Sequence, residues 1–270
     1  MKIHGLSWKS LSEVLLILFV AACATSPLGR KQLVLVPDSQ MNAMGAQAFQ
    51  QLKSREKVDT QPANQKYINC VVNPLTENAK GQASVDSWEV VVFKNDTANA
   101  FALPGGKIGV HTGLLKVAQN DAQLAAVIGH EIGHVIAKHG AERVSQEQGT
   151  QLGLAVVGAI APGTPKMKAM MGLLGVGTQV GILLPFSRVQ ENEGDLVGLD
   201  LMARAGFDPE QSVQLWRNMI ADAEGRSPPE WLSTHPASEN RIANLQNHMA
   251  EAKTQYEQAK AAGRSPRCLR

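Results

Sequence analysis

Two histidines four residues apart, His130 and His134, enclose a glutamate in the run His130-Glu131-Ile-Gly-His134. At about 100° per residue, helical spacing of four puts both imidazoles on one face, one turn apart. Two neutral imidazoles so placed can grip one Zn²⁺, with Glu131 beside the metal's open position. The chemistry expected of this pattern is a metal-activated water whose proton passes to a carboxylate. The surrounding residues support a buried helix. Asp121 is the expected N-cap. Leu124, Val127, Ile128, Val135 and Ile136 supply apolar positions. Buried histidines need polar partners, and one cation would satisfy both.

A zinc site of this kind takes three protein ligands, so the chain must provide another. The extended pattern H-E-x-x-H-x-x-G-x-x-H is excluded, because Ala137 stands at its glycine position and Gly140 at its last histidine position. On a continuous helix His139 is rotated by about 140° from His134, which predicts a solvated side chain. The remaining source is a carboxylate from a later helix. In the segment Arg188-Val-Gln-Glu191-Asn-Glu193-Gly-Asp195, Glu191 and Asp195 are four apart and share a face. That spacing suits one carboxylate on the metal and a second holding a histidine N–H. Glu193 is expected on the far side as a surface charge.

The elements that must position these groups follow from pattern and punctuation. Residues 33–36 predict a short strand. Residues 38–57 predict a helix, and residues 62–80 a helix bent or broken at Pro74. The run Trp88-Glu-Val-Val-Val-Phe93 predicts a strand, and Pro104-Gly105-Gly106 a turn leading into a second short strand at 107–110. A strand edge facing the metal would take an extended peptide by strand addition. The helix carrying His130 is expected to run from 121 to about 149. Residues 153–186, rich in Gly, Ala and Met, predict packed helices, or alternatively a lid or membrane-touching hairpin. Residues 187–205 predict the helix of Glu191, and Asp208-Pro209 caps the next. The fold class is α+β, mostly helical.

Four motifs in this order resemble the HtpX, CAAX prenyl protease, Oma and BepA/LoiP-type gluzincin metallopeptidases: the His130–His134 motif, Gln190-Glu191 through Asp195, Thr234-His235-Pro-Ala-Ser-Glu-Asn-Arg241, and the stretch from Asn99 to Leu115. The resemblance covers roughly residues 37–250, and the lipoprotein, LoiP-like branch is nearest. It implies a zincin-like domain with a small sheet whose edge strand lines the cleft. It implies one Zn²⁺ held by His130, His134 and Glu191, with Glu131 as general base and Asp195 behind the ligands. By the same resemblance His235 and Arg241 approach from the carboxyl-terminal side, His235 as an inhibitory fourth ligand or, like Arg241, as an oxyanion partner. Asn99 is implied as a clamp on the substrate backbone. Relatives carry Ala where this chain has Gly194; both are small enough for close helix packing.

The amino terminus resembles a bacterial lipoprotein signal. Basic Lys2 and Lys9 precede an apolar run at 14–22 that is too short to span a bilayer. Cys23 then follows Val20-Ala21-Ala22 and is the expected lipidation site. Residues 1–22 are thus expected as a removed signal, 23–36 as lipidated cysteine and tether, 37–255 as the catalytic domain and 256–270 as a polar tail. Ala24 after Cys23 favours the outer membrane, facing the periplasm. There Cys70 and Cys268 could either pair or stay free. A net charge of +2 with only 4% aromatic residues gives no footprint for nucleic acid. The expected partners are unfolded or misassembled envelope proteins and the membrane reached through the anchor. The alternative is an envelope chaperone or scaffold whose zinc site is latent or gated by His235.

Overall fold

The computed structural model describes residues 23–160, 186–223, 230–235 and 239–269. The expected signal segment, most of the expected lid (161–185) and residues 224–229 and 236–238 lie outside the described residues. The described residues open with an antiparallel hairpin of β1 (Cys23–Thr25) and β2 (Lys31–Leu33). Of the strand expected at 33–36 only Leu33 is in β2; residues 34–36 are not strand, and β2 pairs with a partner the sequence did not signal. Helices α1 (Asp38–Arg55) and α2 (Pro62–Asn78) follow. α2 neither ends nor breaks at Pro74. Only its last turn lies beyond the proline, so a single missing backbone bond is the extent of the loss.

The central sheet comprises β3 (Glu89–Phe93), β4 (Ala100–Leu103) and β5 (Lys107–His111) in the order β3-β5-β4. β5 pairs in parallel with β3 and antiparallel with β4, Val110 facing Ala100. The β4–β5 turn uses Gly105 and Gly106 at φ of 80° and 72°, a region that glycine enters without penalty. β4 is consequently an edge strand, as the resemblance implied. A short helix α3 (Leu114–Val117) leads to α4 (Asp121–Ile136), α5 (His139–Ile160), α6 (Arg188–Arg204), α7 (Glu210–Ala223), α8 (Glu230–Thr234) and α9 (Glu239–Ala261). None of the described helices is long and apolar enough to cross a membrane.

α4 is buried on almost every side. Leu124, Val127, Ile128 and Ile132 join Ile68, Val71, Val72 and Leu75 of α2, Ile108 and Val110 of β5, and Leu201 and Met202 of α6 in one core. The N-cap of α4 is Asn120, whose side chain accepts from the Gln123 amide at 2.8 Å; Asp121 is the first helical residue instead. The expected long helix is also two. Lys138 lies at φ 55° between α4 and α5, which ends one helix and redirects the next. At the far end the polar tail is tied down, because Cys268 forms a disulfide with Cys70 of α2, 198 residues away in sequence.

Candidate metal centre and cleft

Glycines set the distance between α4 and α6. A Cβ on Gly133 would lie 2.8 Å from the Gly194 carbonyl oxygen, and one on Gly198 would lie 2.6 Å from the His130 nitrogen. Contacts that short leave room only for hydrogen. The backbones therefore approach closely, and Glu191 on the first turns of α6 reaches the two histidines of α4. α6 begins with a capping box in which Ser187 and Gln190 satisfy each other's termini. That box fixes the turn from which Glu191 projects.

The ligand atoms of His130, His134, Glu191 and His235 all lie within 4.8 Å of one another and all four side chains are buried. His130 Nε2 is 3.0 Å from His134 Nε2, and each Nε2 is 3.6 Å from an oxygen of Glu191. Ligands at 2.0–2.1 Å from a tetrahedral cation are separated by about 3.3 Å, so these gaps suit such a cation. The hydrogen-bond network sets the protons. His130 Nδ1 is 3.0 Å from Asp195 and His134 Nδ1 is 2.8 Å from His139 Nδ1. Protons on both Nδ1 atoms leave two Nε2 lone pairs facing each other, an arrangement that calls for a cation between them.

Charge points the same way. Glu191 and Asp195 are buried carboxylates, and Arg241 is the cation between them. Its Nε and Nη2 bind both oxygens of Asp195 at 2.6 and 2.7 Å, and its Nη1 lies 2.7 Å from Glu191. Burial works against ionisation of Glu191, but His130 and His235 outweigh it and hold the carboxyl far below its ordinary range. Burial also pulls His130 down, yet Asp195 and Glu191 reverse this and raise it to about 9. Burial and the neighbouring His130 and His235 keep His134 neutral, well below its ordinary value. A buried imidazole drawn into the charged form marks a site one positive charge short. The donor set thus fits a divalent metal in both spacing and charge.

Around this centre the structure assembles the other expected residues and some that sequence reasoning missed. Glu131 accepts from Trp231 Nε1 at 2.7 Å and lies 3.4 Å from His235 Nε2. Trp231, on α8, is held by its own amide to the Ala98 carbonyl at 3.2 Å, which ties α8 to the start of β4. Nothing in sequence linked Trp231 to Glu131. His235 Nδ1 sits 3.0 Å from Glu191 and 3.1 Å from His130 Nε2. Arg241 is 4% exposed and lies behind the ligands, not among the described residues lining the cleft. Its guanidinium binds Asp195 and Glu191 there, while the oxyanion role expected of it stays an expectation. His139 and Glu193, expected in solvent, are 0% and 3% exposed and pair with each other at 3.0 Å. The kink at Lys138 removes the premise of a continuous helix on which the solvated placement rested. Phe186 stacks on His134 with ring centroids 4.0 Å apart.

The cleft has a volume of about 280 Å³ and runs from Glu131, His134 and His235 along β4 to Asp38 and Lys138. Its wall includes Asn99, Phe101, Leu103 and Phe186. Asn99 also closes the sheet, its carbonyl accepting from the His111 amide at 3.0 Å. A paired-histidine helix, a carboxylate from a second helix and an edge strand along the cleft define a zincin-like metallopeptidase domain. Comparison with known proteins agrees. The model of Peptidase family M48 matches residues 62–249, and the chain belongs to that family. It is 36% identical over 172 residues to the mitochondrial metalloendopeptidase OMA1 of Schizosaccharomyces pombe, covering 63% of this chain and 49% of that one. It is 33% identical over 212 residues to the beta-barrel assembly-enhancing protease of Escherichia coli, covering 76% and 42% respectively. The chain thus spans about half the length of these relatives.

Proposed function

We propose that the chain is a zinc metalloendopeptidase of the bacterial cell envelope that cuts unfolded or misassembled envelope proteins, and that Cys23 anchors it by lipid to the outer membrane facing the periplasm. The observation that carries the reading is the convergence of His130, His134 and Glu191 with Glu131 at the head of a cleft walled by an edge strand. Support for the activity comes from relatives named as metalloendopeptidase and protease; support for the substrates comes from the relative named for β-barrel assembly.

His130, His134 and Glu191 would hold the zinc. When bound, the metal supplies Lewis acidity, enough to bring the pKa of its water to about 7. The chain's own residues do the rest. An extended peptide pairs with the edge of β4, which has no strand partner among the described residues; such pairing selects backbone more than side chain and suits unfolded substrates. Asn99, beside β4 in the cleft lining, clamps the substrate backbone in this reading. Glu131 takes the proton of the attacking water and returns it to the leaving amine, and the Trp231 indole holds its carboxylate in the required orientation. His235 offers a hydrogen bond to the oxyanion from beside Glu131.

The test is digestion of casein by zinc-loaded protein and by Glu131→Gln. Cleavage by the parent alone, with equal zinc in both, is expected; cleavage by the variant overturns the mechanism. Cys23→Ala should release the protein from membranes. One observation favours a second reading, a His-gated site in an envelope chaperone or scaffold. His235 Nδ1 lies within the ligand cluster, where it would act as a fourth ligand. Under that reading neither protein cleaves, and His235→Ala gains activity.

A further inference from the structure

The amino-terminal hairpin, expected to be a tether, is docked by one arginine into buried acids beside the metal centre. Arg30, in the turn just before β2, places Nη1 and Nη2 on the two oxygens of Glu142 at 2.7 and 2.8 Å, and Nε on Glu193 at 3.0 Å. The carboxylates are 4% and 3% exposed. They belong to α5 and α6, the two helices that follow the His130–His134 motif and carry Glu191. Glu142 also accepts from Gln190 at 2.8 Å, the residue that closes the capping box before Glu191. Glu193 accepts from His139 Nε2 at 3.0 Å, and His139 Nδ1 meets His134 Nδ1 at 2.8 Å. The Leu35 amide donates to Ser145 on α5 at 2.8 Å, a second fastening. A chain of charged and polar contacts therefore runs from the hairpin to a metal ligand: Arg30, Glu193, His139, His134.

The chemistry of that chain is directional. His134 can offer Nε2 to a metal only if Nδ1 carries the proton, and that proton needs an acceptor. His139 supplies one through Nδ1, which in turn requires its own proton on Nε2, aimed at Glu193. Glu193 remains an anionic acceptor because Arg30 neutralises it in a site otherwise closed to water. Groups behind the ligands typically change metal affinity by 10–100-fold when altered.

We propose that the hairpin is a working part of the metal site: Arg30 is a positioning residue that, through Glu193 and His139, fixes the proton and orientation of His134, so that docking of the segment next to the proposed lipid anchor sets the affinity for metal. The inference rests on the metal-site reading above. Its test uses the full chain in mild detergent, with zinc affinity measured by competition with a chromogenic chelator and ligand geometry by the visible spectrum of the cobalt-loaded protein. Arg30→Gln is expected to weaken zinc about 10–100-fold and to alter the cobalt bands. Arg30→Lys should recover part of the affinity. Lys53→Gln, which removes a remote ion pair to Glu89, should change neither. A lowered unfolding temperature for Arg30→Gln with unchanged affinity and spectrum overturns the proposal and leaves the hairpin a structural cover. Should Arg30→Gln not fold, Glu193→Gln decides by the same two readings. Failure of the parent to bind zinc would sink the metal-site reading instead, a separable outcome.

Discussion

The indole Nε1 of Trp231 donates a 2.7 Å hydrogen bond to Oε1 of Glu131, joining residues 100 apart in sequence inside a closed site. Trp231 is 1% exposed, stacks on His235 and is tied to the strand that walls the cleft. Its donor is thus fixed relative to both the carboxylate and the substrate edge. A hydrogen bond to a charged group is worth about 1.5–3 kcal/mol, and Trp231→Phe removes it. The expected result is a fall in kcat of about tenfold or more, KM little changed and zinc content equal, measured on a fluorogenic peptide. A change confined to KM would show that Trp231 shapes the cleft and not the base.

Gly198 of α6 faces the His130 backbone with no room for a methyl group. Gly198→Ala should push α6 away from α4, costing about 1–3 kcal/mol as overpacking does. Glu191 would be withdrawn from the histidines, so metal affinity should fall with stability. The control is Gly149→Ala on α5, where an added Cβ meets nothing within 4 Å; relief of a helical glycine there should stabilise by about 0.5–1 kcal/mol. Thermal unfolding with and without zinc separates the two substitutions.

Arg241 neutralises two carboxylates that water does not reach. Arg241→Gln leaves that charge uncompensated, and breaking a buried pair from one side costs about 3–5 kcal/mol. We expect a large loss of unfolding temperature in metal-free protein, partly recovered by excess zinc because the metal adds positive charge at Glu191. An unchanged melting curve with slowed catalysis would return Arg241 to the oxyanion role that the family resemblance implied.

Glu142 carries a pH dependence of known sign. Burial raises its pKa, but the Arg30 hydrogen bond and the Gln190 amide outweigh this and hold it below the ordinary 4.5. A carboxyl depressed in the folded state stabilises it fully above the unfolded value and loses that contribution as pH falls through the folded one. Stability should therefore decline below about pH 4.5. In Arg30→Gln that acid-dependent loss should be smaller, because less stabilisation is present at neutral pH. Urea unfolding at pH 7, 5 and 3.5, followed by tryptophan emission, checks the sign.

Much of the chemistry was legible along the chain. The spacing of His130, Glu131 and His134 and of Glu191 and Asp195 is a property of helical geometry, so it survived folding unchanged. The β-branched run gave β3 and the Pro104-Gly105-Gly106 turn gave β5, but β4, the edge strand along the cleft, carries no β-branched residue and came only with the structure. The positions misplaced by sequence were those where that geometry is interrupted. Lys138 at positive φ is not a residue type that signals a left-handed turn, and without that turn His139 points to solvent. Glu193 was assigned to a wet face because α6 was taken to have one; the hairpin and α5 cover it.

The sequence by itself determined the kind of site and the faces that its candidate ligands share, because a helical repeat lines up side chains before any tertiary contact exists. Only the tertiary structure decided which indole holds Glu131, that Arg241 lies between Glu191 and Asp195, that Cys70 and Cys268 meet, and that Arg30 closes a charged chain to His134. The direct contacts among these join residues from 46 to 198 apart, and buried charges find their partners only when packing removes the water that would otherwise solvate them.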